Sequence, residues 1–223
     1  MNDNLMHIYD TAMNSTKKIH IYDDALLEEQ FSDFKDKILS PYFPWYFYPC
    51  VSYDDEDLSV SPGQFVHDTY KNTEQLTPYF QDPIKKTLLS NINWKQLYSV
   101  RFRLHLKLPE PFFSDFHTDL GTAMDEESCA LWTTAIFYIN TNNGYTEFED
   151  GTIVKCVENR LVTFPANTKH RGVSQTDEQT KVVLNINFLK DPADNYVRYS
   201  DPTEKEVNEW MDIINFQESK NGS

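Results

Sequence analysis

Strict alternation of apolar and polar residues in the middle of the chain predicts β-strands there. The run "YSVRFRLHLKL" alternates at every position, and "CALWTTAIFYIN" and "TKVVLNINFL" are long runs of β-prone residues. Short turns such as "NNG" separate these runs from "YTEFEDG", "TIVKCV" and "RLVTFP". Successive hairpins without intervening helices indicate a sandwich or a jelly-roll barrel rather than a βαβ sheet.

Helical periodicity replaces this alternation on both sides of the strands. The segments "YDDALLEEQFSDFKDKILS", "DPIKKTLLSNIN" and "DPTEKEVNEWMDIINF" each carry an apolar stripe, and Asp82 stands at the expected cap of the second helix. The pattern predicts a mainly β fold with flanking helices. We expect one domain over residues 1–223, with helical and aromatic support in 1–95, a jelly-roll core in 96–190 and a C-terminal helix in 191–223.

Composition and charge indicate which binding partners and which cellular compartment to expect. The formal net charge of −15 disfavours phosphate backbones and anionic lipid. The chain has no apolar stretch near the ~20 residues of a membrane span, and its first residues lack the pattern of a secretion signal. Three cysteines, an odd number without a CxxC pair, favour a reducing compartment. We therefore expect a cytoplasmic protein without membrane or nucleic-acid partners.

Candidate chemistry begins in "FSDFHTDLGT", where His117 and Asp119 stand two residues apart. Residues at this spacing point to the same side of a strand. His170 follows "RLVTFPANTK", at the mouth of a later strand. Two histidines and one carboxylate leave about three positions open on a metal, as in non-haem Fe(II) oxygenases. The HExxH helix of many zinc hydrolases does not occur in the sequence.

Four segments in this order resemble the Fe(II)/2-oxoglutarate-dependent oxygenases, in the prolyl-hydroxylase-like branch. They are "HTD" at 117–119, "AIFYINTNNGYTEF" at 135–148, "NRLVTFPANTKH" at 159–170 and "TKVVLNINF" at 180–188. The resemblance covers residues 96 to 190 and implies a double-stranded β-helix. It also implies iron on His117, Asp119 and His170, with Lys181 and Tyr138 binding the distal carboxylate of the cosubstrate 2-oxoglutarate, and O₂ as the second cosubstrate.

The chain departs from this family pattern at two places. Asn143-Gly144-Tyr145 stands where many members have two glycines, and "LKLPEPFFSD" lacks the Tyr-x-x-Gly pattern. The residue that contacts the C1 end of 2-oxoglutarate therefore stays open, with Arg101 and Arg103 as candidates.

The resemblance implies a hydroxylase that releases succinate and CO₂, with a substrate that the sequence does not identify. We expect a peptidyl side chain such as proline rather than a small molecule. The hairpin resembles that of prolyl hydroxylases, and the acidic segments "SYDDEDLSVSPG" and "GTAMDEES" are suited to cover the barrel mouth as loops. One alternative is a non-catalytic cupin-like metal- or ligand-binding protein, in which a buried Lys181 would have no use. Another is a nucleic-acid demethylase of the same chemistry, which the negative charge disfavours.

Overall fold

Antiparallel β-strands form most of the described part of the chain. The computed structural model describes residues 19–51, 61–121 and 123–190. The strands are β1 His20–Tyr22, β2 Tyr46–Tyr48, β3 Gln64–Lys71, β4 Glu74–Gln75, β5 Gln96–Leu106, β6 Trp132–Tyr138, β7 Tyr145–Phe148, β8 Ile153–Lys155, β9 Arg160–Pro165, β10 His170–Val173 and β11 Thr180–Leu189.

Two sheets hold these strands. The larger sheet has the order β1-β9-β6-β11-β5-β3-β2, with β4 paired to β3, and the smaller sheet has the order β10-β7-β8. Every pairing is antiparallel, and neighbours such as β5 and β11 are far apart in the sequence. This crossed arrangement is the double-stranded β-helix, so the predicted fold class is confirmed. The consecutive hairpins of the sequence pattern close into a barrel instead of forming one flat meander.

The outer face of the larger sheet packs on helix α1, Glu28–Ile38. Glu28 and Glu29 lie in its first turn and Lys35 and Lys37 in its last, which suits the helix dipole. Phe34 and Ile38 are fully buried, and the Phe34 ring meets the rings of Phe102 and Phe137 on the sheet. The predicted N-terminal bracing helix is confirmed, and burial of its aromatic face is its main stabilising contribution.

The second predicted helix is a chain of three short helical segments. They are the 3₁₀ turn Pro78–Phe80, the π-helical segment Gln81–Leu88 and the 3₁₀ turn Leu89–Asn91. Asp82 lies at a kink within the π-helical segment and has the extended backbone angles of a helix cap directly before Pro83, but its carboxylate does not bond to the helix. Its carboxylate instead accepts a hydrogen bond from Lys37 of α1 at 3.1 Å. The predicted C-terminal helix lies outside the described residues.

A second apolar core fills the space between the two sheets. Its members come from both sheets and are Ile136, Tyr138, Phe148, Val154, Cys156, Val162, Phe164 and Val183. Strand β11 takes part in both cores, since Val182 and Leu184 pack on the helix side while Val183 packs inside the barrel. Alternation along β11 therefore directs Lys181, Asn185 and Asn187 into the barrel.

Cys50, Cys129 and Cys156 are buried free thiols. Within the described residues, the helices are too short or too polar to cross a membrane.

Candidate metal centre

His117 and His170 lie directly opposite each other at one end of the barrel. The His117 N–H donates to the His170 carbonyl at 3.0 Å, and the His170 N–H donates to the His117 carbonyl at 3.0 Å. This reciprocal pair holds the two rings with their centroids 4.9 Å apart. Residues far apart in the sequence are thus fixed side by side through their backbones.

The Asp119 carboxylate completes a three-residue cluster with these rings. Its Oδ1 lies 3.8 Å from Nε2 of His117 and 3.8 Å from Nε2 of His170, and its side chain is 4% exposed. One ligand atom from each residue lies within 4.8 Å of the other two. These spacings are too long for hydrogen bonds and leave space for an ion between the three atoms. The structure therefore brings together the three residues that the sequence predicts as metal ligands.

Backbone carbonyls select the tautomer of both histidines. Nδ1 of His117 lies 2.9 Å from the Asp115 carbonyl, and Nδ1 of His170 lies 3.1 Å from the Thr168 carbonyl. A carbonyl can only accept a hydrogen bond, so each Nδ1 carries the proton and each Nε2 presents its lone pair to the cluster. Metal-binding histidines in proteins are usually oriented in this way. The donor set consequently fits a divalent metal.

Burial and charge keep the cluster in the protonation state that a metal requires. Burial lowers the pKa of His170 to about 4, although the nearby Asp119 partly opposes this shift. Burial alone would raise the pKa of Asp119, but His170, His117 and Arg103 hold it below its usual range. At neutral pH the carboxylate is therefore ionised and the His170 ring is neutral.

Lys181 lines the same pocket as His117 and His170. The side chain is almost fully buried, and its Nζ donates to the carbonyls of Val173 at 2.8 Å and Tyr145 at 3.2 Å. Among the described residues, no carboxylate forms an ion pair with Lys181. An inward cation held by neutral carbonyls leaves its charge available to an anionic ligand.

Tyr138 is fully buried next to this pocket, and its hydroxyl donates to Thr146 Oγ1 at 2.7 Å. Burial raises the pKa of Tyr138 well above its usual range. Thr146 lines the pocket together with Lys181, whereas Tyr138 stands behind it. The Tyr138 hydroxyl, which the resemblance places beside Lys181, is thus bonded to Thr146. Thr146 is a pocket residue that the sequence analysis did not identify.

The two arginines considered for the C1 end of 2-oxoglutarate, Arg101 and Arg103, have different surroundings. Arg101 forms a two-pronged ion pair with Asp68, including a 2.7 Å contact from Nη2 to Oδ2. Arg103 lines the pocket with the metal ligands, and its Nη1 donates to Gln64 Oε1 at 3.2 Å. Of the two, Arg103 is therefore the one in reach of a ligand in the pocket.

Sequence reasoning missed His105 as a pocket residue, although the signal was available. Alternation along β5 puts His105 on the same face as Arg103, and His105 pairs in register with Lys181. Asn185, on the same face of β11 as Lys181, donates from Nδ2 to Asp119 Oδ2 at 3.4 Å. This contact gives the buried amide nitrogen a hydrogen-bond partner beside the cluster.

The predicted loop "GTAMDEES" is helical at its C-terminal end. Helix α2, Glu126–Ala130, begins inside it, and the Asp125 side chain caps this helix by accepting from the Ser128 N–H at 2.8 Å. Of the other predicted loop, "SYDDEDLSVSPG", residues 52–60 lie outside the described residues.

Comparison of the sequence finds no match, either among family models or among curated proteins. Comparison of the structure does find matches. A Pseudomonas putida prolyl-4-hydroxylase is 13% identical with a TM-score of 0.52, and the alignment covers 82% of this chain and 99% of that one. A 2OG-Fe(II) oxygenase family oxidoreductase from Burkholderia pseudomallei is 8% identical with a TM-score of 0.54, covering 84% and 91%.

A non-heme alpha ketoglutarate dependent carbocyclase from nogalamycin biosynthesis, SnoK, has the same fold. It is 12% identical with a TM-score of 0.54, and the alignment covers 85% of this chain and 84% of that one. At such low identity these likenesses show a shared fold, and the chemistry has to be argued from the residues of this chain.

Proposed function

We propose that the protein is an Fe(II)- and 2-oxoglutarate-dependent oxygenase that hydroxylates its substrate and releases succinate and CO₂. The observation that carries this proposal is the cluster of His117, Asp119 and His170 at the mouth of a pocket that contains the buried cation Lys181. A metal-binding protein without a cosubstrate has no need for this second feature. The shared fold with known oxygenases supports the same conclusion.

The three cluster residues would hold the metal. His117 and His170 offer neutral Nε2 atoms and Asp119 offers an anionic oxygen, a donor set suited to Fe(II) that leaves positions for further ligands. Bound there, Fe(II) would supply O₂ activation coupled to oxidative decarboxylation of 2-oxoglutarate. Asn185 orients the Asp119 carboxylate through its 3.4 Å contact. The Thr168 and Asp115 carbonyls fix the two imidazole rings.

Lys181 would bind the distal carboxylate of 2-oxoglutarate. The Lys181 ammonium is buried, so an incoming carboxylate would form a charge-assisted hydrogen bond shielded from water. The Thr146 hydroxyl lines the same pocket and is held by Tyr138, which supports an indirect role for Tyr138. Arg103 lines the same pocket and would balance negative charge at the metal end of the cosubstrate.

The test is an assay of succinate release. The protein would be incubated with Fe(II), 2-oxoglutarate and O₂, alone and with a pool of peptides and metabolites from a cell lysate. We expect release that depends on all three additions and that His170→Ala abolishes. Metal binding without any binding or turnover of 2-oxoglutarate would instead support the cupin-like binding protein.

The substrate is a separate question from the type of reaction. A peptidyl side chain such as proline, expected from the sequence resemblance, stays a prediction. Turnover of proline-containing peptides, measured beside free amino acids, tests it.

A further inference from the structure

The segment that leads to the metal ligand His117 contains a β-bulge beside β10. Isolated β-bridges pair Phe113 with Val173 and His117 with His170. Three residues lie between the two bridges on this segment, whereas β10 has only two residues between them. An extra residue on one strand is a β-bulge, which bends the strand and changes the direction of the side chains beside it. The orientation of His117 therefore depends on the conformation of this bulge.

The bulge consists of Asp115 and Phe116, which stand opposite Arg171 alone. Ser114, the residue before them, still donates its N–H to a carbonyl of β10 at 3.1 Å. The carbonyl of Asp115 lies 2.9 Å from Nδ1 of His117, and this contact holds the imidazole with Nε2 towards the metal site. A change in the bulge would therefore move the acceptor that orients the His117 ring.

Arg171 holds the bulge from the outer face of the smaller sheet. Its neighbour His170 points into the barrel, so alternation along β10 directs Arg171 outwards. The guanidinium carbon lies 5.0 Å from the centre of the Phe113 ring and 4.4 Å from that of Phe116, which are cation–π distances. Nε and Nη2 of the same guanidinium both contact the Glu147 carboxylate of β7 at 2.8 Å. Arg171 thus ties the two rings, and with them the bulge, to β7.

The two histidine ligands differ in how the fold supports them. His170 belongs to β10 and is 3% exposed, and the Thr168 carbonyl fixes its Nδ1. Phe113 and Phe116, which precede His117, are 47% and 37% exposed and so have less support from the core. The segment of His117 consequently relies more on contacts at the surface.

We propose that Arg171 is a positioning residue for the metal ligand His117. Its guanidinium holds Phe116 and, through the bulge, the Asp115 carbonyl that orients the imidazole. This inference rests on the proposed function only in taking the three-residue cluster as the metal site.

The charge of Arg171 predicts the opposite effect on metal affinity. A cation near the site repels a divalent metal, so removal of the charge alone would strengthen metal binding. Loss of the positioning contacts would weaken it instead, because the His117 ring would no longer be held in the orientation that binds the metal. The sign of the change therefore separates the two roles.

The first measurement is made on the full chain without metal and needs no cosubstrate. Nitrogen-15 NMR spectra of the labelled imidazoles at pH 8 identify which ring nitrogen carries the proton, with assignments from His117→Gln and His170→Gln. In the parent we expect the proton on Nδ1 of both rings. In Arg171→Met, His117 should show a mixture of both tautomers, while His170 keeps its proton on Nδ1. A general loss of structure would alter both rings.

The second measurement is the affinity for Mn²⁺, obtained by calorimetry. We expect Arg171→Met to raise the dissociation constant about tenfold, the lower end of the effect of residues that support a metal ligand. Arg171→Lys keeps a cation over the rings but lacks the planar fork, so its dissociation constant should lie between those of the parent and Arg171→Met. Phe116→Leu removes one ring face and should change both measurements in the same direction as Arg171→Met.

Arg160→Met is the matched control. Arg160 also forms a two-pronged ion pair, with Asp23, but it lies on β9 rather than beside the bulge. We expect the tautomers and the Mn²⁺ affinity of this variant to match those of the parent. Should Arg171→Met fail to fold, Phe116→Leu, at a partly exposed ring, provides both measurements.

Three results would overturn the inference. They are a His117 proton that stays on Nδ1 in both Arg171→Met and Phe116→Leu, Mn²⁺ binding that is unchanged or tighter in Arg171→Met, and an equal effect of Arg160→Met. Absence of Mn²⁺ binding in the parent would instead contradict the proposed metal site. The tautomer measurement would still decide the role of Arg171 in that case, because it is made without metal.

Discussion

His105 and Lys181 face each other across the neighbouring strands β5 and β11 and line the pocket behind the metal ligands. The pair combines an imidazole with a buried ammonium group. Burial, followed by the charges of Lys181 and Arg103, lowers the pKa of His105 to about 3. His105 is consequently neutral at physiological pH, and the positive charges that line the pocket belong to Lys181 and Arg103.

The lowered pKa of His105 predicts a pH-dependent contribution to stability. Its folded pKa of about 3 lies below its ordinary value of 6.5, so the unfolded chain binds an extra proton between these two values. The contribution is therefore complete above pH 6.5 and is lost as the pH falls towards 3, at about 1.4 kcal/mol per pH unit. Urea unfolding of the metal-free protein at pH 7.0 and 5.5 measures this loss.

A His105→Asn variant isolates this residue from the other titrating groups. The difference in unfolding free energy between parent and variant should fall by roughly 1 kcal/mol between these two pH values, because His170 and the carboxylates titrate in both proteins. A difference that does not change with pH would show that folding leaves the pKa of His105 unchanged.

Lys181 should determine the affinity for 2-oxoglutarate. Lys181→Met keeps most of the volume of the side chain and removes the charge. We expect a loss of about 2 kcal/mol, or roughly 30-fold in dissociation constant, because a charge-assisted hydrogen bond disappears. Anaerobic calorimetry on the Mn²⁺-loaded protein measures it. Lys169→Met is the matched control, since Lys169 pairs with Glu149 at the surface, and equal affinity in parent and Lys181→Met would identify another residue as the cation.

Strand alternation explains why much of this pocket could be predicted from the sequence. Because side chains alternate between the two faces of a strand, Lys181, Val183 and Asn185 must share one face of β11 in any fold. In the structure this face lies inside the barrel. The same rule applies to His105 on β5, which lacked a recognisable motif and was therefore missed.

Features that depend on tertiary contacts could not be predicted in this way. Asp82 has the sequence signature of a helix cap, but its carboxylate bonds to Lys37 of α1, which is distant in the sequence. His117 lies opposite His170 because two backbone hydrogen bonds join segments that are distant in the sequence. Likewise, the hydrogen bond from Tyr138 to Thr146 depends on how β6 and β7 approach each other.

Asp119 should dominate metal affinity. Asp119→Asn removes the negative charge and keeps the shape, so we expect Mn²⁺ binding to weaken by more than about 100-fold, beyond the usual effect of residues that only support a ligand. Calorimetry at pH 7 measures this change. Asp115→Asn is a control two residues before His117, since its side chain is exposed and its carbonyl, which contacts the His117 ring, is retained. Parent-like affinity in Asp119→Asn would rule out the three-residue cluster as the metal site.

Tyr138 and Thr146 should act as one unit in cosubstrate binding. The Tyr138 hydroxyl donates to Thr146 Oγ1, and Thr146 but not Tyr138 lines the pocket. Tyr138→Phe should therefore weaken 2-oxoglutarate binding by about 1 kcal/mol, the typical value of one hydrogen bond, and Thr146→Val should do the same. Because both changes break the same bond, the double variant should be no worse than either single variant, which gives a coupling energy of about 1 kcal/mol.

Anaerobic calorimetry on the four proteins of this cycle provides the coupling energy, and thermal unfolding provides the cost to the fold. A role confined to packing would lower the melting temperature of Tyr138→Phe without changing its affinity for 2-oxoglutarate. A direct contact between Tyr138 and the cosubstrate would make the two changes additive, because each hydroxyl would then contribute its own hydrogen bond. Additivity would therefore contradict the indirect role, and coupling would show that Tyr138 acts on the cosubstrate through Thr146.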